Sequence, residues 1–176
     1  MGIFASYPAI TYDFTTRTDA NQIIETIQDL TTKISMVISD ADFDNMCVHY
    51  SIQNGELPET ISQKIYGTTD YDWAILYING IGNLNAEWPL SDIELIEFAT
   101  LKYGAPYIYD VHHYEKLPEN LVMDESFIIS QYGAQYVNPI TNVDYETSVN
   151  EQKRFIYVIK PENISTFVTK YKAALA

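Results

Sequence analysis

Hydrophobic and polar positions along the chain alternate with two periods, which together predict a mixture of strands and helices. In the run 48–52, apolar and polar residues alternate as they do in a half-buried strand. The run Pro58–Tyr66 has its isoleucines on one helical face, with a proline in its first turn and Gly67 placed as a left-handed C-cap. Both periods occur within one short chain, so we expect the α+β class.

Further helices are predicted where a capping residue precedes a helical apolar pattern. Asp70 is expected to cap a second helix, and Ser91 with Glu94 forms a capping box that opens a third. The remaining helices are predicted over residues 144–153 and after Pro161.

The N-terminal part of the chain is predicted to be an arm. Residues 3–12 form an extended segment, because a proline near its centre blocks a helix. We expect a short helix capped by Asp19 to follow, then a strand-like run over residues 33–38 and a polar turn over residues 39–44.

The C-terminal part contains two runs that predict strands, residues 107–114 and 154–159. In the second run Phe155, Tyr157 and Ile159 share one face, and the opposite face is also apolar. A strand that is apolar on both faces needs cover on both sides. We therefore expect a partner protein to add to its free edge. The alternative is that the two runs pair with each other inside one fold.

The charge of the chain is large and uneven. Its 24 acidic and 10 basic residues give a net charge of −14, and 20 of the acidic residues precede residue 126. Nucleic acids and anionic membranes are bound mainly through clustered Lys and Arg, so we expect neither as a partner. The 15 Tyr residues are instead typical of a protein with extensive interfaces.

Candidate catalytic and metal-binding groups are few. Cys47 and His49 would point the same way from one strand, but no third group is placed to orient the histidine. Asp110 and His112 would share a strand face while His113 points away, which leaves too few ligands for tetrahedral zinc. We therefore predict that the protein is not an enzyme and holds neither metal nor cofactor.

The carboxylates of the third helix are not expected to form a catalytic pair. One of these carboxylates is needed as a cap and another fits a solvated face, so paired-acid hydrolysis is not expected.

The single cysteine excludes an internal disulfide. No signal peptide or membrane span is predicted, so the chain is expected to be made in a cytoplasm.

Four short motifs from Val48 to about Trp88 resemble a LysM module, a small strand–helix–helix–strand unit. They are the opening strand, Asn54-Gly55-Glu56, Ile61-Ser62-Gln63-Lys64-Ile65-Tyr66-Gly67 and Ile78-Asn79-Gly80-Ile81. The resemblance implies a glycan groove formed by Gly55, Glu56, Asn79 and Ile81. Such modules usually carry Asp-Thr after the turn glycine, where this chain has Glu56-Leu57-Pro58, which favours a scaffold over a glycan-binding module.

A second resemblance covers nearly the whole chain and rests on four blocks in a fixed order. The first block is residues 4–12, and the second is residues 57–61 with 65–67 and 71–76. The third is residues 87–91 with 102–104 and 112–114, and the fourth is residues 139–142 with 145–146, 150–154 and 158–162. In register, they resemble the LysM-like baseplate wedge proteins of T4-type contractile-tailed bacteriophages. Residues 30–33 depart from that family, because they are mostly neutral where its members tend to be basic.

The resemblance implies a structural subunit of the virion, assembled in the cytoplasm of a bacterial host. Its expected partners are other baseplate wedge proteins and neighbouring wedges, which the subunit helps to join around the hub in a large hetero-oligomer. Tyr7, Phe155, Tyr157 and Ile159 are the predicted partner-binding residues. The alternative is a peptidoglycan- or chitin-binding LysM module.

The expected organisation has three parts. Residues 1–47 form an N-terminal arm with a short helix, and residues 48–104 form a LysM-like core together with the third helix. Residues 105–176 form a C-terminal extension and arm.

Overall fold

Helices and strands are mixed along the chain, and the predicted α+β class is confirmed. The computed structural model describes residues 6–16, 22–29, 36 and 38–175. The strands are β1 (Ala9–Asp13), β2 (Ile24–Gln28), β3 (Cys47–Ser51), β4 (Val111–Lys116), β5 (Leu121–Met123), β6 (Val137–Thr141) and β7 (Phe155–Ile159). The helices are α1 (Asp40–Met46), α2 (Pro58–Tyr66), α3 (Asp72–Ile78), α4 (Leu84–Glu87), α5 (Asp92–Tyr103), α6 (Glu125–Gln131), α7 (Asn142–Gln152) and α8 (Ile164–Leu175).

The chain folds into two compact units. The first contains Met1–His49, Leu57–Gly80 and Tyr157–Ala176, and the second contains Tyr50–Glu56 and Ile81–Ile156. This division differs from the three expected parts (1–47, 48–104 and 105–176), because the chain leaves the first unit after Gly80 and returns to it at Tyr157. The C-terminal strand and helix therefore belong to the first unit and do not form a separate arm.

In the first unit, β1 and β2 form an antiparallel hairpin in which Ile10 faces Ile27. Residues 24–28 were expected to be helical, and this prediction is wrong. Their isoleucines and threonine are β-branched, which favours a strand once a partner strand is present. The expected cap Asp19 and most of the strand-like run 33–38 lie outside the described residues.

The strands β3 and β7 pair with each other. Lys160 N donates to Met46 O at one end of the pair, and Ile52 N donates to Arg154 O at the other, both at 2.9 Å. The strands therefore run antiparallel. Consequently β7 does not pair with the run 107–114, so that alternative is wrong, and one of its two edges is occupied by β3.

The order β3–α2–α3–β7 is strand–helix–helix–strand, with residues 81–154 inserted before the last strand. The expected LysM-like unit ended near Trp88, but the strand that completes this arrangement comes from the C-terminal quarter. The helix α2 begins and ends at the predicted residues, and Gly67 has the left-handed φ of 74° expected of its C-cap.

Two local predictions in the first unit are corrected by hydrogen bonds. Residues 39–44 are not a turn: residues 40–44 belong to α1, and the side chain of its N-cap Ser39 accepts a bond from Asp42 N. Asp70 does not cap α3, which begins at Asp72. The hydroxyl of Ser62 receives the Tyr71 N–H at 3.2 Å instead, so a tertiary bond takes the place of the side-chain cap.

The core of the first unit is built from β3, α3, β7 and α8. Its buried members are Cys47, Ala74, Ile159, Ile164 and Phe167. Because three of these five residues follow residue 154, the C-terminal segment is part of this core.

The second unit contains the sheet β5–β4–β6 and the packed helices α5 and α7. The predicted capping box of Ser91 and Glu94 is present at the start of α5. The strand expected from Tyr107 begins only at Val111, since the carbonyls of residues 107, 108 and 110 receive hydrogen bonds from the first residues of α7.

Candidate functional site

The turn after β3, where one wall of a glycan groove was predicted, is closed on itself. Both carboxylate oxygens of Glu56 accept bonds from the Tyr50 hydroxyl, at 2.8 and 2.9 Å. One of them also accepts the Gln53 N–H at 3.0 Å. The acidic side chain that replaces the usual Asp-Thr therefore fixes the turn from within.

The turn belongs to the second unit, and other side chains of the same unit form hydrogen bonds to it. The indole of Trp88, itself buried, donates to Glu56 O at 2.8 Å. Asn54 exchanges two hydrogen bonds with Asp92, at 2.7 and 3.0 Å. Arg154 donates to Ile52 O at 3.3 Å. Backbone groups that would meet the amides of a sugar in a LysM groove are thus engaged by the chain itself.

Asn79, predicted on the opposite wall, completes the edge of a strand. Its amide nitrogen donates to Ile75 O and Tyr157 O, each at 2.8 Å, and its oxygen accepts the Tyr157 N–H at 2.8 Å. Tyr157 lies opposite His49, between residues that bond across the β3–β7 pair, so its backbone groups point away from β3. The side chain of Asn79 therefore substitutes for a neighbouring strand.

The four predicted groove residues do not belong to one unit. Gly55, Glu56 and Ile81 lie in the second unit, and Asn79 lies in the first. Ile81 is half-buried. Each of the two polar members, Glu56 and Asn79, has a structural role in its own unit.

The predicted partner-binding residues fall into two groups. Ile159 is fully buried, and Tyr157 packs between Phe43 and His49 with ring-centre distances of 4.8 and 4.5 Å. Phe155, in contrast, is 74% exposed. Tyr7 is half-buried, with its hydroxyl 3.2 Å from the hydroxyl of Tyr171. Of the four, only Phe155 presents a large apolar surface.

A second side chain closes the outer edge of β7. The hydroxyl of Tyr66 donates to Ile159 O at 2.8 Å, and burial raises the pKa of this phenol to about 12, so it remains a donor. Together, Asn79 and Tyr66 bond both outward backbone groups of Tyr157 and the carbonyl of Ile159. These bonds disfavour the predicted strand addition at this edge of β7.

The contacts of the candidate nucleophile and of the candidate metal ligands indicate that these residues have structural roles. Burial raises the pKa of the Cys47 thiol, the opposite of what a reactive cysteine needs. A bulge in β4 interrupts the expected alternation, and it brings His112 Nδ1 to 2.8 Å from His113 Nδ1. The ring of His112 stacks on Tyr145 at 4.1 Å.

The buried carboxylate in the second unit belongs to Glu146, at the centre of a small polar network. Lys102 and Tyr103 donate to it at 2.6 and 2.7 Å. Burial acts to raise the pKa of Glu146, but these two hydrogen bonds outweigh it and hold the pKa below its usual value. The network locks α5 to α7.

Within the described part of the chain, no three His, Cys, Asp or Glu side chains are grouped so that they could hold a metal ion. None of the helices that the structure describes is long and apolar enough to cross a membrane.

The sequence analysis missed two exposed apolar surfaces, one in each unit. The first is the largely apolar face of the β1–β2 hairpin, which carries Ile10, Tyr12 and Phe14 opposite Ile27, Glu25 and Ile23. Every residue of the two strands except Ile27 is exposed. A two-stranded hairpin without cover is marginally stable in water, so this face is suited to a partner.

The second surface lies along α5. Apolar residues occur all around this helix, yet only Leu95 and Ala99 are buried. Ile93 is 74% and Leu101 88% exposed. The distribution of apolar residues around the whole helix, between its charged ones, is the sequence signal that could have identified this surface, since a helix that is hydrophobic on all sides is normally buried.

A scan of the chain against protein-family models and a search of curated proteins return no match.

Proposed function

We propose that this chain is a structural subunit of a contractile phage tail baseplate wedge. In this role it connects wedge proteins and helps wedges to join around the hub. It works through the surfaces it offers to partners, without catalysing a reaction.

The exposed apolar face of the β1–β2 hairpin is the observation that carries this proposal. The rings of Tyr12 and Phe14 are in contact in a tilted arrangement, with their centres 4.8 Å apart, and Tyr12 is 52% exposed. In a protein without partners, polar residues on this face would cost little stability, because the face is exposed. In an assembly it gains its apolar burial when a neighbour covers it, at about 25 cal/mol per Å².

The resemblance of four sequence blocks to baseplate wedge proteins supplies the identity of the assembly. The first of these blocks, residues 4–12, includes most of β1, in which every residue is exposed. A part of the exposed hairpin face therefore lies in a block that resembles the family. The strand–helix–helix–strand order of β3, α2, α3 and β7 agrees with a LysM-like scaffold that carries a long insertion.

Glycan binding is the alternative, and the turn after β3 disfavours it. Its side chains and carbonyls already bond to Tyr50, Trp88, Asp92 and Arg154. Calorimetry with chitin oligomers and peptidoglycan fragments is expected to show no binding. Micromolar binding that is lost in Ile81→Asp would establish the alternative.

The assembly role is tested by deleting the gene from the genome that encodes it and examining lysates by electron microscopy. We expect tails without complete baseplates, and full rescue by the wild-type chain. The double variant Tyr12→Ser/Phe14→Ser should rescue poorly, whereas Val122→Ser, an exposed apolar change in β5, should rescue fully. Normal tails after the deletion would contradict the proposal.

A further inference from the structure

The second unit contains an open groove beside α5 that none of the residues described by the structure fills. It has a volume of about 480 Å³ and is lined by residues of α4, α5 and α7 and by Leu90. Leu95 and Leu90 contribute apolar surface within it, and Phe98 and Leu101 contribute from α5. Val149 and Lys153 contribute from α7.

The groove is held in shape by the fold. The buried amide of Asn150 bonds to both backbone groups of Leu90, accepting from its N–H at 2.8 Å and donating to its C=O at 2.9 Å. Lys153 donates to Ala86 O at 2.7 Å, which fixes the α4 side. A groove fixed in this way can bind a partner without the cost of first ordering its own residues.

The exposed surface is larger than a small ligand could cover. Leu101 lines the groove and is 88% exposed, so it extends the apolar surface along the helix. The 12 residues of α5 span about 18 Å at 1.5 Å per residue. A cleft with an apolar ridge of this length matches the apolar face of another helix.

The charges around the groove limit the kind of helix that fits. Its lining contains Glu94, Glu97, Glu146 and Lys153, and Glu146 is paired with Lys102 at 2.6 Å, so the acidic side chains that face a partner are Glu94 and Glu97. Glu94 keeps its charge readily, because hydrogen bonds from the Ser91 hydroxyl and N–H lower its pKa. A second copy of this chain would bring the same acidic rim and the same net charge of −14 against it, which like-charge repulsion disfavours.

We propose that the groove between α5 and α7 binds an amphipathic helix of another protein. That helix places apolar side chains against Phe98 and Leu101 and carries Lys or Arg opposite Glu94 and Glu97. This inference rests on the proposed assembly role, for which it names one surface and the chemistry of the partner that covers it.

The proposal is tested on the full chain with three synthetic helical peptides of about 15 residues. Each has Leu at the i, i+4, i+7 and i+11 positions, and the flanking positions are all Lys, all Gln or all Glu. Fluorescence anisotropy is expected to give the tightest binding for the Lys peptide and the weakest for the Glu peptide. Added salt should weaken the Lys peptide and reduce this difference.

The variant Leu101→Ser should weaken the Lys peptide about tenfold, as expected for a central apolar anchor. Leu101 is so exposed that the change leaves the fold intact, which thermal unfolding would check. Leu121→Ser in β5 is the matched control, since it removes another exposed leucine, and it should leave binding unchanged.

Three results would overturn this proposal. They are failure of the Lys peptide to bind at millimolar concentration, equal binding of the three peptides, and unchanged binding by Leu101→Ser. A dimer in sedimentation that Leu101→Ser dissociates would make a second copy the occupant and overturn it as well. If Leu101→Ser enters phage tails as well as wild type does, the assembly role stands and only this surface is lost.

Discussion

The outer edge of β7 and the outer face of α5 differ in how far side chains of the chain itself cover them. At β7, Asn79 and Tyr66 bond the backbone groups of Tyr157 and Ile159 that face away from β3. On α5, Ile93 and Leu101 remain exposed. Unsatisfied backbone polar groups are costly for a protein on its own, whereas exposed apolar side chains are tolerated. Surfaces completed within the chain are therefore structural, and apolar surfaces left open are available to partners.

The largest effect is expected from truncation after Pro139, which removes the end of β6 together with α7, β7 and α8. The core of the first unit then loses Ile159, Ile164 and Phe167. We expect the truncated chain to lose the cooperative unfolding transition of this unit in urea. If residues 48–80 keep protected amides in hydrogen exchange, the C-terminal segment is an arm after all.

Removing the side chain that completes β7 should cost somewhat less. Asn79→Ala leaves the Tyr157 N–H and C=O without their partner, and we expect a loss of about 2–4 kcal/mol in the free energy of unfolding. Asn85→Ala, at an exposed asparagine in α4, is the matched control and should change it by less than about 0.5 kcal/mol. Equal effects of the two variants would mean that the edge of β7 does not need Asn79.

Glu146 provides a pH test of the contact between α5 and α7. Its pKa is lowered in the folded protein, so the stability that its charge provides is present above about 4.5 and is lost as the pH falls through the folded pKa. We expect Glu146→Gln to cost about 1–2 kcal/mol at pH 7 and to flatten the fall in unfolding free energy below pH 4.5. An unchanged pH slope would show that this carboxylate does not stabilise the helix pair.

The smallest effect on stability is expected on the open face of α5. Leu101→Ser should change the free energy of unfolding by less than about 0.5 kcal/mol, because the side chain is exposed. Leu95→Ala in the same helix should cost about 2–4 kcal/mol, because that side chain is buried. Similar costs for the two leucines would mean that the face is covered within the chain.

The same contrast explains what the sequence could predict. The start and end of α2 and the capping box of α5 depend on residues within one or two turns, and both were predicted correctly. The pairing of β3 with β7 joins residues about a hundred positions apart, and no local pattern determines such a pairing. Residues 24–28 show the limit most clearly, since their apolar spacing suits a helix while their β-branched side chains suit a strand, and pairing with β1 decides for a strand.

The candidate site depended on long-range contacts even more strongly. Asn79 was correctly singled out in a turn, but its role follows from Tyr157, 78 residues later. Similarly, the closure of the Glu56 turn depends on Trp88 and Asp92, which lie in the insertion. By contrast, the open face of α5 could have been predicted. Apolar residues occur on all sides of this helix, among them Ile93, Ile96, Phe98 and Leu101, and only two residues of the helix are buried.

Thiol labelling at Leu101→Cys tests the central claim most directly, namely that the open surfaces of this chain are covered in a phage tail. The native Cys47 is buried, so the variant has one accessible thiol among the described residues. The isolated chain should react readily with a fluorescent maleimide. In purified contractile tails that contain the variant, the account predicts strong protection of this thiol. Equally fast labelling in the tails, or absence of the chain from them, would contradict it.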